Sequence, residues 1–162
     1  MGFDAQYRGQ LRIEPPLNEV EQKALALFLD ARHMTTVHGP LDIRRSLTAS
    51  HPDVTDWNKP AQDMPSLYCS MRVANGGEVL EWDGQEGAGD LEPWIRYLID
   101  YFLRPDGAFH LVAKRVPEDD LLHGFTFDHT VNGLLTGMGG GEAWTIVVAD
   151  NEVSSTKVGE TE

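Results

Sequence analysis

Hydrophobic and polar positions along this chain change period several times, and each change marks an element. Residues 7 to 14, "YRGQLRIE", alternate larger and polar side chains and are stopped by Pro15-Pro16, which can neither donate to a ladder nor extend a central strand. A strand ending at the prolines is predicted. "NEVEQKALALFLDARH" follows, with Asn18 three residues before Glu21, the spacing of a capping box in which each side chain satisfies the other's free backbone amide. Val20, Ala24, Leu27, Phe28 and Ala31 recur there at helical spacing, predicting a first helix with that stripe as its apolar face.

Residues 33 to 66 show no sustained period and are broken by Pro40, Pro52, Pro60 and Pro65. They read as a long irregular connection, with room for a short helix around Leu41 to Leu47, and as the first place to expect a binding loop. "RRSL", residues 44 to 47, resembles a basic phosphorylation motif, but four residues fit an ordinary exposed turn as well.

Leu67 to Val73 and Glu78 to Trp82 flank Ala74-Asn75-Gly76-Gly77, a hairpin signal because Asn and Gly tolerate the positive φ of tight turns. With Gly76-Gly77 central, Arg72 lies opposite Glu81 on the outer face. Met71 then meets Trp82 and Val73 meets Leu80 on the inner one, which Cys69 shares as a core thiol. Asp90 is placed to cap a second helix carrying Leu91, Trp94, Ile95, Leu98, Tyr101 and Phe102 at helical period. That helix is expected to end near Leu103, before Pro105-Asp106-Gly107. "AFHLVAKRV", "FTFDHTVNGLLTGM", "AWTIVVAD" and "EVSSTKV" then read as an antiparallel meander whose last pair turns at Asp150-Asn151.

These elements predict one α+β domain over residues 1–156, with a frayed tail at 157–162. Its antiparallel sheet has about six or seven strands, and two amphipathic helices pack on one face. Leu27, Phe28, Met71, Leu80, Trp82, Trp94, Ile95, Leu98 and Val147 are expected in a common core. At 162 residues with 41% hydrophobic positions, the chain is long enough to bury that core without disulfide or metal. Cys69 is the only cysteine, which suits a reducing compartment. The first ten residues lack the apolar core of a signal peptide, and no apolar run is long enough to cross a bilayer. A cytoplasmic protein with no membrane association is expected.

Charge changes this picture most. The net charge is −13, and 20 of the 26 acids lie after residue 50, against 7 of the 13 bases. Such a field repels phosphate backbones, so direct nucleic-acid binding is not expected, and it favours a protein partner with a basic surface. "EVLEWDGQEGAGDLEPWIRYL", residues 78 to 98, concentrates Glu78, Glu81, Asp83, Glu86, Asp90 and Glu92 ahead of its first base. Several carboxylates can hold a hard cation, but this spacing does not match the Ca²⁺ loop D-x-[DN]-x-[DN]-G, and Glu81, Asp90 and Glu92 have structural explanations in the hairpin and helix. As the densest acidic stretch it is the candidate partner surface, with Glu78, Glu81, Asp83, Glu86 and Asp90 as the candidate partner-binding residues.

Six histidines, His33, His38, His51, His110, His123 and His129, lie apart from one another without H-E-x-x-H or zinc-ligand spacing. Asp128-His129, with Asp119, Asp120 and His123 upstream, could serve acid–base chemistry. Adjacent residues of a regular strand point to opposite faces, however, which would keep Asp128 from orienting His129. "GMGGG", residues 137 to 141, lacks the Lys-Ser/Thr and helix of a phosphate loop and reads as a hairpin turn. No catalytic residue, metal ligand or cofactor is assigned.

"GQLRIEPPLNEVE", "LEWDG" before "WIRYLIDYFLRP", "VNG" and "WTIVVADNEV" together resemble an uncharacterised family of small acidic proteins from tailed bacteriophages and actinobacteria. After "VNG" the chain departs from that pattern, with "LLTGMGGGEAW" in place of an acidic strand and a charged turn. The resemblance implies a phage-type accessory protein and assigns no residue a role. The expected function is that of a non-enzymatic acidic interaction protein or inhibitor engaging a basic protein surface. A small hydrolytic or metal-dependent enzyme built on Asp128 and His129, and a homo-oligomeric assembly protein, are the alternatives.

Overall fold

The computed structural model describes residues 5–30, 34–36, 54–60, 65, 68–84, 88–108, 110 and 124–157. Its elements are β1 (Gln6–Glu14), α1 (Glu19–Asp30), β2 (Met34–Thr36), β3 (Val54–Pro60), β4 (Met71–Ala74), β5 (Val79–Trp82), α2 (Glu92–Leu98), β6 (Thr130–Gly139), β7 (Glu142–Ala149) and β8 (Glu152–Lys157). Six strands form one antiparallel sheet in the order β4-β5-β1-β6-β7-β8, and β2 pairs with β3 separately. The fold is α+β. The connection expected to be irregular over 33–66 thus holds a short ladder, while the helix considered at Leu41 to Leu47 and the "RRSL" motif lie outside the described residues.

Turn chemistry sets the registers. Met71, Arg72 and Val73 pair with Trp82, Glu81 and Leu80 as the hairpin signal predicts, across a 3₁₀ turn in which Asn75, Gly76 and Gly77 all take positive φ. Between β6 and β7 the turn is Gly140-Gly141 with φ of 59° and 78°, a pair that only residues free in this region adopt cheaply. Gly137 on β6 serves packing instead. A Cβ there would lie 2.7 Å from both the Trp144 and Tyr7 rings, which meet edge-on with centroids 5.9 Å apart.

The capping box at α1 forms as expected, with Asn18 Oδ1 accepting the Glu21 amide and Glu21 Oε1 accepting the Asn18 amide, each at 2.8 Å. Asp90 Oδ1 accepts the Glu92 amide at 2.9 Å and starts α2. The helix continues through π turns at Ile99–Leu103 and ends where Arg104 turns extended, its amide donating back to Ile99 at 3.0 Å. No helix of the described residues is long and apolar enough to cross a membrane.

The core lies between the helices and one face of the sheet. Leu11, Ile13, Leu80, Val131, Leu135, Trp144, Ile146 and Val148 meet Phe28, Trp94, Ile95, Leu98 and Phe102, with Cys69 buried among them. Burial pushes the Cys69 thiol well above the ordinary range. Four expectations are corrected. Leu27 and Val20 on α1 are about 40% exposed, and the buried stripe runs through Glu21, Ala24, Leu25, Phe28 and Leu29. Val147 faces solvent, because Ile146 and Val148 take the inward positions of β7. Lys157 ends β8, where it pairs in register with Trp144 and bridges Glu142 at 3.0 Å; residues 158–162 lie outside the description. Of "AFHLVAKRV" only Ala108 and His110 are described, in a helical turn, and β6 begins at Thr130 rather than at Phe125.

Candidate functional site

The acidic stretch does not converge. Glu78 and Glu81 sit beside β1, where Arg12 approaches Glu78 at 3.5 Å and Gln10 donates to Glu81 at 3.1 Å. Arg72 also holds Glu81 at 2.8 Å. Asp83 lies beyond β5, its amide bonded to the Ser70 carbonyl at 3.1 Å, and lines a cleft of about 500 Å³ between α1 and β4 with Gln22, Ala26, Leu29 and Arg72. Asp90 belongs to the start of α2, and Glu92 is held by Arg96 at 2.7 Å. Glu86 lies outside the described residues. Glu78 and Glu81 are thus already matched by bases of the same chain, Asp83 lines the cleft that Arg72 also lines, and Asp90 stands apart at the start of α2.

Tyr7 ties this region together. Its hydroxyl donates to the Gly89 carbonyl at 2.6 Å and accepts the Leu91 amide at 3.1 Å, clamping the loop before α2 to β1. Burial, reinforced by the charge of Asp90, pushes its pKa up to about 12 against the opposing Leu91 amide. A phenol so placed is a structural pin.

Asp128-His129 resolves into a different constellation. The chain is not extended here, since Phe127 has φ of 51°, so Asp128 comes within 3.7 Å of His129 Nε2 despite adjacency. The closer partner is Glu21, whose Oε2 lies 2.8 Å from Nε2, both side chains being almost wholly buried. His129 Nδ1 donates to the Pro15 carbonyl at 2.7 Å. Glu21 Oε2 accepts the Thr126 amide at 3.0 Å, while the Thr126 hydroxyl donates to Asp128.

Burial opposes the charge on both members of this pair, yet the balance runs the other way. For Glu21, the His129 ring and the amides of Asn18 and Thr126 outweigh burial and hold the carboxyl below its ordinary value. For His129, the Glu21 carboxylate, the Pro15 carbonyl and Asp128 outweigh burial and raise it. Both shifts favour the ionised forms, and both ring nitrogens and both carboxylate oxygens are engaged. Such a pair joins the start of α1 to the approach to β6, and it offers no open valence for a substrate. Sequence reading found the Asn18–Glu21 box, but nothing local announced that Glu21 also receives residues more than a hundred positions away.

Among the described residues no three His, Cys, Asp or Glu side chains are grouped to hold a metal ion. His110 stacks on Phe127 with centroids 4.7 Å apart, and His33, His38, His51 and His123, like Asp119 and Asp120, lie outside the description.

Among the described residues, exposed apolar side chains gather on the sheet face opposite the helices. Leu134 and Val147 are cross-strand partners and are 49% and 39% exposed, with Met138 at 59% on the same face. Their apolar character is visible in the sequence, but "LLTGM" and "TIVVA" do not declare which members face outward. Compared with protein-family models, curated proteins and solved structures, the chain matches none.

Proposed function

We propose that this is a non-enzymatic interaction protein that engages a protein partner through the sheet face opposite its helices. The observation that carries this reading is the cross-strand pair Leu134 and Val147, with Met138 four residues along β6 on the same face, all exposed on a regular sheet, where isolated apolar residues would need no explanation but a set on one face points to contact. The net charge of −13 disfavours nucleic acid. A phage-type accessory or inhibitor role, as the resemblance implies, fits a protein of this kind and rests on those residues alone.

A photoreactive phenylalanine analogue placed at Leu134 tests the reading in cells. A discrete adduct that forms from position 134, and not from the same label at Lys23 on the exposed side of α1, is the expected result. Equal or absent adducts from the two positions would overturn it.

A further inference from the structure

Deepening that reading, on which it rests, we propose that the partner of the open sheet face is a second copy of this chain, packed face to face about a two-fold axis parallel to the strands. Registers across four strands carry the argument. Gln10, Leu134, Val147 and Ser154 form one cross-strand row, with its apolar pair at the centre. Two residues further along β1 stands Arg12, opposite Asn132, and at the same level on β8 stands Glu152, opposite Ala149.

An axis running between β6 and β7 along the strands lays β6 on the second copy's β7 and β1 on its β8, preserving level along the strands. Leu134 of each copy then meets Val147 of the other, and Arg12 of each meets Glu152 of the other, so the face is complementary to itself in both shape class and charge. Sheets stack about 10 Å apart, within reach of an arginine and a glutamate extended toward each other. Arg12 can exchange its bond to Glu78 for this contact, because that bond is long, at 3.5 Å, and the two side chains are 62% and 49% exposed.

The charge distribution supports the same occupant. Outward positions of β6 and β7 carry no charge, and those of β1 and β8 carry Arg8, Arg12, Glu14 and Glu152, a neutral set in a chain of net −13. Two copies can approach here without the repulsion that opposes them elsewhere. Association by extending the sheet edge at β8 is disfavoured. The two-residue turn at Asp150-Asn151 makes Ala149 and Glu152 the hydrogen-bonded pair, so the next carbonyl, that of Val153, points off the edge. Arg96, held by Glu92, already donates to it at 2.6 Å.

Sedimentation equilibrium of the full chain over a range of concentrations tests the proposal. The expected mass is twice the monomer's 18.0 kDa, and Leu134→Lys with Val147→Lys should return the protein to monomer with its circular dichroism unchanged. Arg12→Glu or Glu152→Arg alone should weaken self-association about tenfold, and the two reversals together should restore it. A wild-type monomer at all concentrations, a dimer indifferent to the lysine pair, or single reversals that the double variant fails to rescue would each overturn the proposal. A monomer whose label at position 134 still captures another protein overturns the self-pairing alone, whereas a monomer with no specific adduct removes the interaction reading as well.

Discussion

Glu21 has two carboxylate oxygens that face different parts of the molecule. One closes the local capping box with Asn18, and the other gathers His129 and Thr126 from the far end of the chain. Removing one partner of such a buried pair leaves the other's charge uncompensated, so His129→Ala is expected to cost about 3–5 kcal/mol in urea unfolding. Its pH dependence follows from the direction of each shift. His129 is raised above its ordinary 6.5, so its contribution is complete below that pH and is lost as pH rises through the folded-state value. Glu21 is lowered below 4.5, so its contribution is complete above that pH and is lost as pH falls. The stability difference between wild type and a Glu21→Gln/His129→Gln variant should therefore be widest between pH 4.5 and 6.5. A difference that stays constant from about pH 4 to about pH 9 would show that the pair is not ionised in the fold. Residues with local grammar were legible in the sequence, as the Asn18–Glu21 box and the burial of Cys69 illustrate. The Glu21–His129 contact was not, because it depends on tertiary neighbours that no spacing encodes.

At the level of elements, the register of the β4–β5 hairpin was readable because its turn fixes the register and the register fixes every face, although the first strand, expected from Leu67, begins only at Met71, after Ser70 takes a φ of 61°. Helix α1 was readable as a helix but not in its orientation. Val20, Ala24, Leu25, Leu27, Phe28 and Leu29 cover more of its circumference than the core can bury, so packing against Trp94, Tyr97 and Phe102 selects the stripe. β7 posed the same problem in another form, since Ile146, Val147 and Val148 run without alternation and give no parity. The spatial arrangement of the acidic stretch was not legible for a related reason. Its proximity in sequence spans a strand, a loop and a helix start, which the fold sends to separate neighbourhoods. Within β6, Gly137 makes a sharp prediction: Gly137→Ala places a methyl against Trp144 and Tyr7 and should cost about 1–3 kcal/mol by overpacking. Thermal unfolding checks it, and an unchanged midpoint would mean that the two rings can separate without loss.

For the whole molecule the organising element is β1. It pairs with β5 on one side, through Leu11 and Leu80, and with β6 on the other along its full length. The β4–β5 hairpin and the β6–β7–β8 meander are joined into one sheet only through it. A chain lacking residues 1–14 is therefore expected to lose cooperative unfolding altogether, a loss that circular dichroism during heating would detect; retention of a single sharp transition would show that the two halves have another joint. Sheet order was not legible from strand patterns, because β1's alternation is equally compatible with an edge position, and the choice is made by where its two neighbours can reach.

That central position has a consequence for biosynthesis. β1 leaves the ribosome before either neighbour exists: the stretch that pairs with Leu11 through Leu80 follows only after α1 and the β2–β3 ladder, and β6 only after α2. Until then its backbone donors and acceptors, and the apolar side chains of Leu11 and Ile13, have no sheet to enter. Contacts of this span are slow to close and leave the waiting segment open to other chains, so the nascent protein's need for a chaperone should be greatest while the stretch between β1 and β6 is being made.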